Sequence, residues 1–145
     1  MPEVMRSIEI AAPPATVWKW FSSAQALREW WGVPDLEIAL EIGGALSLTG
    51  QDGRTRISGA VLELDPERRL VLSWLEEGTG WIHPARLLFV LEPIENGTRV
   101  TLQHDGFAGI GTATWRDTEA AYENGSDRHE LLRALAELVA ADAEA

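Results

Sequence analysis

Three histidines, His83, His104 and His129, carry the side chains of this chain whose ordinary pKa lies near neutrality, and they are the first candidates for moving a proton. Their spacing fits no HExxH or comparable motif, so no metal site is expected. Cysteine is absent, which removes thiolate nucleophiles, disulfides and sulfur-bound zinc. Ser23, Ser47, Ser58, Ser73 and Ser126 lie in no GxSxG elbow and have no His/Asp company in sequence. Glu76-Glu77 and the Glu63/Asp65 pair read as solvated acidic surface rather than an acid/base couple. "GIGTAT" at Gly109 to Thr114 lacks the GK of a phosphate loop. No catalytic residue and no cofactor is assigned. What remains is aromatic: seven tryptophans in 145 residues. Each ring buries about 150–250 Å² when enclosed, enough for either a core or a wall.

The elements that position these rings follow from periodicity. "VMRSIEI" alternates as a strand, and "APPATVWKWF" places proline in the first turn of a helix, where its missing N–H costs nothing. Val17, Trp20 and Phe21 share a side of that helix, so Trp20 is expected inside and Trp18 nearer the surface. Ser23 caps a second short helix, "AQALREWW", which stops at Gly32 with Pro34 beyond. From Leu36 the period becomes two. Strands are expected near 36 to 42, 45 to 50, 54 to 64, 69 to 76, 82 to 92 and 98 to 104, with hairpin turns at Gly43-Gly44, Asp52-Gly53 and Asn96-Gly97. Pro84 puts the start of its strand at an edge or bulge. Leu131, Leu132, Leu135, Leu138 and Val139 recur at helical steps, giving a long amphipathic C-terminal helix. Asn124-Gly125-Ser126 breaks the helical pattern upstream of it, with Ser126 as the N-cap.

The chain is therefore read as one α+β domain spanning 1–145. A curved antiparallel sheet of six to seven strands is covered by the long helix, with two short helices between the first two strands. A formal charge of -11 repels phosphate backbones and anionic membranes, so neither nucleic acid nor membrane is an expected partner. The N-terminus lacks the basic start and apolar run of a signal peptide, and "LLFVL" is far too short to span a bilayer; a cytoplasmic location is expected. Eleven of the twelve basic residues are arginine, and with the Ala-rich tail this suggests a GC-rich bacterial source.

"VWKWFSSAQALREWWG", "GAVLELDPERRLVLSW" and "ENGTRVTLQHDGF", followed by a helix ending "LLRALAELV", resemble the activator-of-Hsp90-ATPase-like branch of the START/Bet v 1-like (SRPBCC) superfamily. The resemblance runs from Met5 to Ala141. It implies a helix-grip fold, in which the sheet wraps the last helix and leaves an apolar cavity between them. It implies no single activity, since members include lipid carriers, polyketide cyclases and Hsp90 co-chaperones. One departure is that relatives commonly carry Gly-Trp at the start of the last helix, where this chain has Gly125-Ser126; Trp115 is expected to fill that space instead.

With strand parity aligned to the resemblance, the inward face holds Ile57 and Val61, then Leu70, Leu72 and Trp74, then Leu87, Phe89 and Leu91, then Val100, Leu102 and His104. A bulge at a glycine such as Gly59 would flip the residues beyond it. Trp30 is expected to tuck against the sheet and Trp31, last before Gly32, to reach the cavity rim, the alternative being that both rings seal the end of the core. His104 points inward and needs a partner, with Tyr122, Arg56, Glu76 or Arg86 as candidates. His129 is expected on the solvated side of the last helix and His83 at the entrance or exposed. The expected ligand-binding set is Trp31, Ile57, Trp74, Trp81, Phe89, His104, Phe107, Trp115 and Tyr122. Its guest is a small hydrophobic molecule, aromatic, lipid-like or polyketide-like, and the chain reads as a binder more than an enzyme. Covering about 300 Å² of apolar ligand surface yields roughly 7 kcal/mol gross before ordering costs. Two alternatives stand beside it: a co-chaperone-like interaction domain with a chaperone partner, and a cyclase or aromatase in which a histidine moves a proton.

Overall fold

A computed structural model of the chain describes residues 3–31, 33–49, 53–124 and 128–144. Strand β1 (Glu3–Ile10) leads into α1 (Pro14–Trp18), a single 3-10 turn at Lys19–Phe21, and α2 (Ala24–Trp31). A meander follows through β2 (Glu37–Ile38), β3 (Ala45–Thr49), β4 (Arg56–Asp65), β5 (Arg69–Glu76), β6 (Ala85–Ile94) and β7 (Gly97–Asp105). A 3-10 turn at Phe107–Gly109, then α3 (Trp115–Asn124) and α4 (Arg128–Glu144), complete the described order. All pairings are antiparallel, in the order β1-β7-β6-β5-β4-β3-β2, so the first strand closes against the last.

Every inward residue expected on β4 to β7 is buried, and β7 alternates strictly between buried and half-buried positions. Leu131, Leu132, Leu135 and Val139 of α4 join the same core as Leu70, Leu72, Leu87 and Phe89, with α4 lying against β1 and α2. The outward face carries ion pairs, Arg86 to Asp105 through two bonds of 2.9 Å and Arg69 to Glu63 at 2.8 Å. Pro14 opens α1, and the Ser23 hydroxyl accepts the Ala26 N–H at 3.1 Å, as expected of a cap.

The β4 bulge falls between Val61 and Glu63 rather than at Gly59, so Ile57 and Val61 keep their inward direction. Gly59 has a different role. A Cβ there would sit 1.9 Å from the Ser73 carbonyl oxygen, so the two strands approach as closely as they do only because that atom is missing. In the same contact the Ser73 hydroxyl accepts the Ala60 N–H at 2.7 Å.

Two expectations are corrected. Trp18, not Trp20, is the buried ring of the first helix, at 9% exposure. The α-helix lasts only five residues before tightening to 3-10 geometry, and this rotates Trp20 outward to half-burial. The strand expected over 36 to 42 shrinks to Glu37–Ile38, since the Glu41 N–H bonds Ala39 and the Gly44 N–H bonds Glu41 in a turn. Ile42 is left 65% exposed. The caps expected at Gly32 and Ser126, and the direction of the His129 side chain, lie outside the described residues. α3 ends at Asn124 and α4 begins at Arg128, on either side of the expected break.

Candidate functional site

Alternation gathers one end of the inner sheet face into a single patch. β5 contributes Trp74 and, two residues on, Glu76, which stands opposite Ile57 of β4. β7 contributes His104, opposite Leu87. Beyond β7, Gly106 adopts φ +87, a left-handed conformation that glycine takes without strain, and turns Phe107 back over the histidine. From above, α3 lays Tyr122 on the same group.

His104 is 0% exposed and enclosed by rings: Phe107 at 4.7 Å, Tyr122 at 4.9 Å and Trp74 at 5.3 Å between centroids. Of the partners expected for it, Tyr122 is the one in ring contact, whereas Arg56 bonds Asp35 and Arg86 bonds Asp105. The ring series continues inward. Trp74 stacks on Trp31 at 6.3 Å and 3°, and Trp31 meets Phe89 edge-on at 5.6 Å. It continues outward through Trp81, edge-on to Phe107 at 6.3 Å and to Tyr122 at 6.4 Å. Seven of the nine expected site residues thus form one connected set of rings. Ile57 joins through the core and its strand partner Glu76, and Trp115 packs beside Phe107 and Ile110 at the margin.

Trp31 does not reach a rim. It is 4% exposed, held between Trp30 at 5.8 Å and Trp74. Both neighbouring rings of α2 are buried because they flank Phe89 from two directions, one at 88° and the other at 76° to it. The Trp30 indole N–H is satisfied by the Trp20 carbonyl at 2.8 Å. The residues on the open side are instead Trp81, Trp115 and Tyr122, all half-buried.

A polar line runs along this open side. The Trp74 indole can only donate and the carboxylate of Glu76 can only accept, which fixes the direction of both bonds. Trp74 Nε1–H donates to Tyr122 Oη at 3.0 Å, and the Tyr122 hydroxyl donates to Glu76 Oε2 in a short contact. Thr79 donates to the other oxygen, Oε1, at 3.1 Å. Residues 77–83 are fastened to the segment after β7 by the Ile82 and His83 N–H groups, both donating to the Ile110 carbonyl at 2.7 and 3.2 Å. Glu76, read from the sequence both as solvated acidic surface and as a candidate inward partner of His104, is half-buried and bonded to Tyr122. The signal that finds it is the parity that places Trp74 inward, since residues two apart on a strand share a face.

A separate groove of about 250 Å³ lies between α2 and the far end of α4, lined by Lys19, Trp20, Glu29 and Asp142 among others. Among the described residues, no cluster of three histidine, aspartate or glutamate side chains is placed to share a metal ion, and no helix is long and apolar enough to cross a membrane.

Seven antiparallel strands curved over a C-terminal helix, with an aromatic patch where the sheet opens, define a helix-grip protein of the Bet v 1-like kind. The chain belongs to the family described as activator of Hsp90 ATPase homologue 1-like proteins, whose model matches residues 11–140. Solved structures share the fold. Protein MLL2253 from Mesorhizobium loti superposes with a TM-score of 0.75 at 18% identity, covering 94% of this chain and 96% of its own. The Aha1 dimer from Colwellia psychrerythraea gives 0.68 at 20% identity, covering 96% of each. DynU16, a putative protein in the dynemicin biosynthetic locus, gives 0.67 at 16% identity over 94% of this chain and 46% of its own. At these identities the likeness is one of fold alone. No curated protein matches the chain in sequence.

Proposed function

We propose that the chain binds a small hydrophobic molecule, aromatic or polyketide-like, at the open end of the sheet, against Trp74, Trp81, Phe107 and Tyr122. The observation that carries this reading is the connected ring series that leaves the core and ends in the half-buried rings of Trp81 and Tyr122. A planar guest inserted there exchanges ring-on-ring contact within the protein for contact with the guest. Its gain comes from desolvation and stacking, which are tolerant of chemotype. The occurrence of the same fold in a biosynthetic locus, as DynU16, supports a polyketide-like guest. His104, sealed among the rings, shapes the floor of the site and sets the orientation of Tyr122.

The test is tryptophan quenching against a panel of flavonoids, fatty acids and polyketides, paired with native mass spectrometry of freshly purified protein. Saturable quenching that Trp74→Ala weakens at least tenfold is the expected result. Quenching by none of the panel, with no co-purified molecule, contradicts it.

A second reading, action on a bacterial Hsp90, is favoured by the family itself and by a charge of -11 suited to a basic partner surface. Unchanged ATP turnover by the chaperone at saturating protein would remove it.

A further inference from the structure

We infer that the polar end of this site is an anionic acceptor, built on Glu76, which selects hydrophobic ligands bearing a neutral hydrogen-bond donor, such as a phenolic hydroxyl, and rejects those bearing a carboxylate. The inference rests on the ligand-binding reading above and names the class of ligand.

Three side-chain bonds on the open side form one line that ends on the same carboxylate. Trp74 donates to Tyr122, Tyr122 donates to Glu76 Oε2, and Thr79 donates to Glu76 Oε1. The one proton of Tyr122 is thereby committed to Glu76 and is not offered to a guest. A carboxylate-headed guest reaching this end meets a like charge on half-buried Glu76, with the tyrosine proton already held. The arginines of neighbouring strands do not offset this. Arg56, adjacent to Ile57 on β4, bonds Asp35 at 2.9 Å, and Arg86 faces outward with Asp105. Arg116 on α3 is engaged over the Trp115 ring at 4.7 Å. A guest hydroxyl, in contrast, donates to a carboxylate oxygen and gains a charge-assisted hydrogen bond. Free fatty acids are therefore poor ligands and phenolic aromatics good ones, although both are greasy enough for the rings.

Two probes that share one ring system separate the head group from the body: β-naphthol and β-naphthoate, titrated by calorimetry at neutral pH against the wild-type protein and Glu76→Gln. The wild type is expected to bind the naphthol at least tenfold more tightly than the naphthoate. Glu76→Gln, which keeps an oxygen acceptor for Tyr122 while removing the charge, is expected to narrow that gap severalfold, chiefly by strengthening naphthoate binding. Equal affinities, or a preference for the naphthoate, in the wild type overturn the inference and leave hydrophobic binding intact. A gap unchanged in a folded Glu76→Gln also overturns it. Failure of both probes to bind overturns it together with the reading beneath it. The wild-type comparison decides the matter even if the variant does not fold.

Discussion

Tyr122 joins an indole on the sheet to a carboxylate at its edge, and so a single hydroxyl fastens α3 to β5. Replacing it with phenylalanine keeps the ring contacts to His104 and Phe107 but removes one acceptor and one donor, one of them to a charged group. Tyr122→Phe should cost about 1–3 kcal/mol, read as a lowered midpoint in thermal unfolding. An unchanged midpoint would show that the hydroxyl line is not formed in solution. Asp35 provides a second test. The Thr49 hydroxyl and then its amide, with Arg56 adding to them, hold the Asp35 carboxyl below its ordinary value of 3.8. A carboxyl depressed on folding stabilises the fold above its unfolded pKa, and that contribution is lost as pH falls through the lower folded value. The stability difference between wild type and Asp35→Asn should therefore be constant near neutrality and shrink below about pH 4; a difference independent of pH would contradict the assignment. At this scale the sequence was readable where alternation governs, as for Trp74 and His104. It misled where an element ends. Trp18 and Trp20 exchange roles because a helix changes pitch after five residues, and Trp31 is buried because the last turn of α2 leans on Phe89.

The elements hold the site through backbone approach as much as through side chains. Gly59 lets β4 lie against the Ser73 carbonyl, two residues from the sheet positions that carry Ile57 and Val61. Gly59→Ala forces that contact apart and should destabilise the fold by about 1–3 kcal/mol, measurable by urea unfolding, whereas a neutral outcome would mean that the strands separate freely here. Leu135 is fully buried in the α4 face that meets the core. Leu135→Ala should cost about 2–5 kcal/mol in the same assay, and a surface-like loss below about half a kcal/mol would show that α4 is not seated on the sheet. Period-two and helical patterns made β4 to β7 and α4 legible to within a few residues, because each buries a full face. The segment 36 to 42 was not, since apolar residues alternate there while the backbone turns and leaves Ile42 in solvent.

For the molecule as a whole, the surface charge and the aromatic end belong to separate tasks. A net charge of -11 is unfavourable to contact with phosphate backbones, and the outward-facing Arg69–Glu63 and Arg99–Glu9 pairs are exposed enough to contribute little to stability. The aromatic end is instead apolar, with the Glu76 carboxylate at its margin. The connected ring set was partly legible as a list of inward aromatics, but its order was not. Contacts such as Trp31 on Trp74 join residues distant in sequence, and only the folded sheet shows which rings touch. The measurement that tests the central claim most directly is the heteronuclear NMR spectrum of the seven indole N–H groups during titration with β-naphthol. The resonances of Trp74 and Trp81 should shift together and saturate, while that of Trp20, beside the far groove, stays in place. Shifts confined to Trp20, or none at saturating probe, would contradict a binding site at the open end of the sheet.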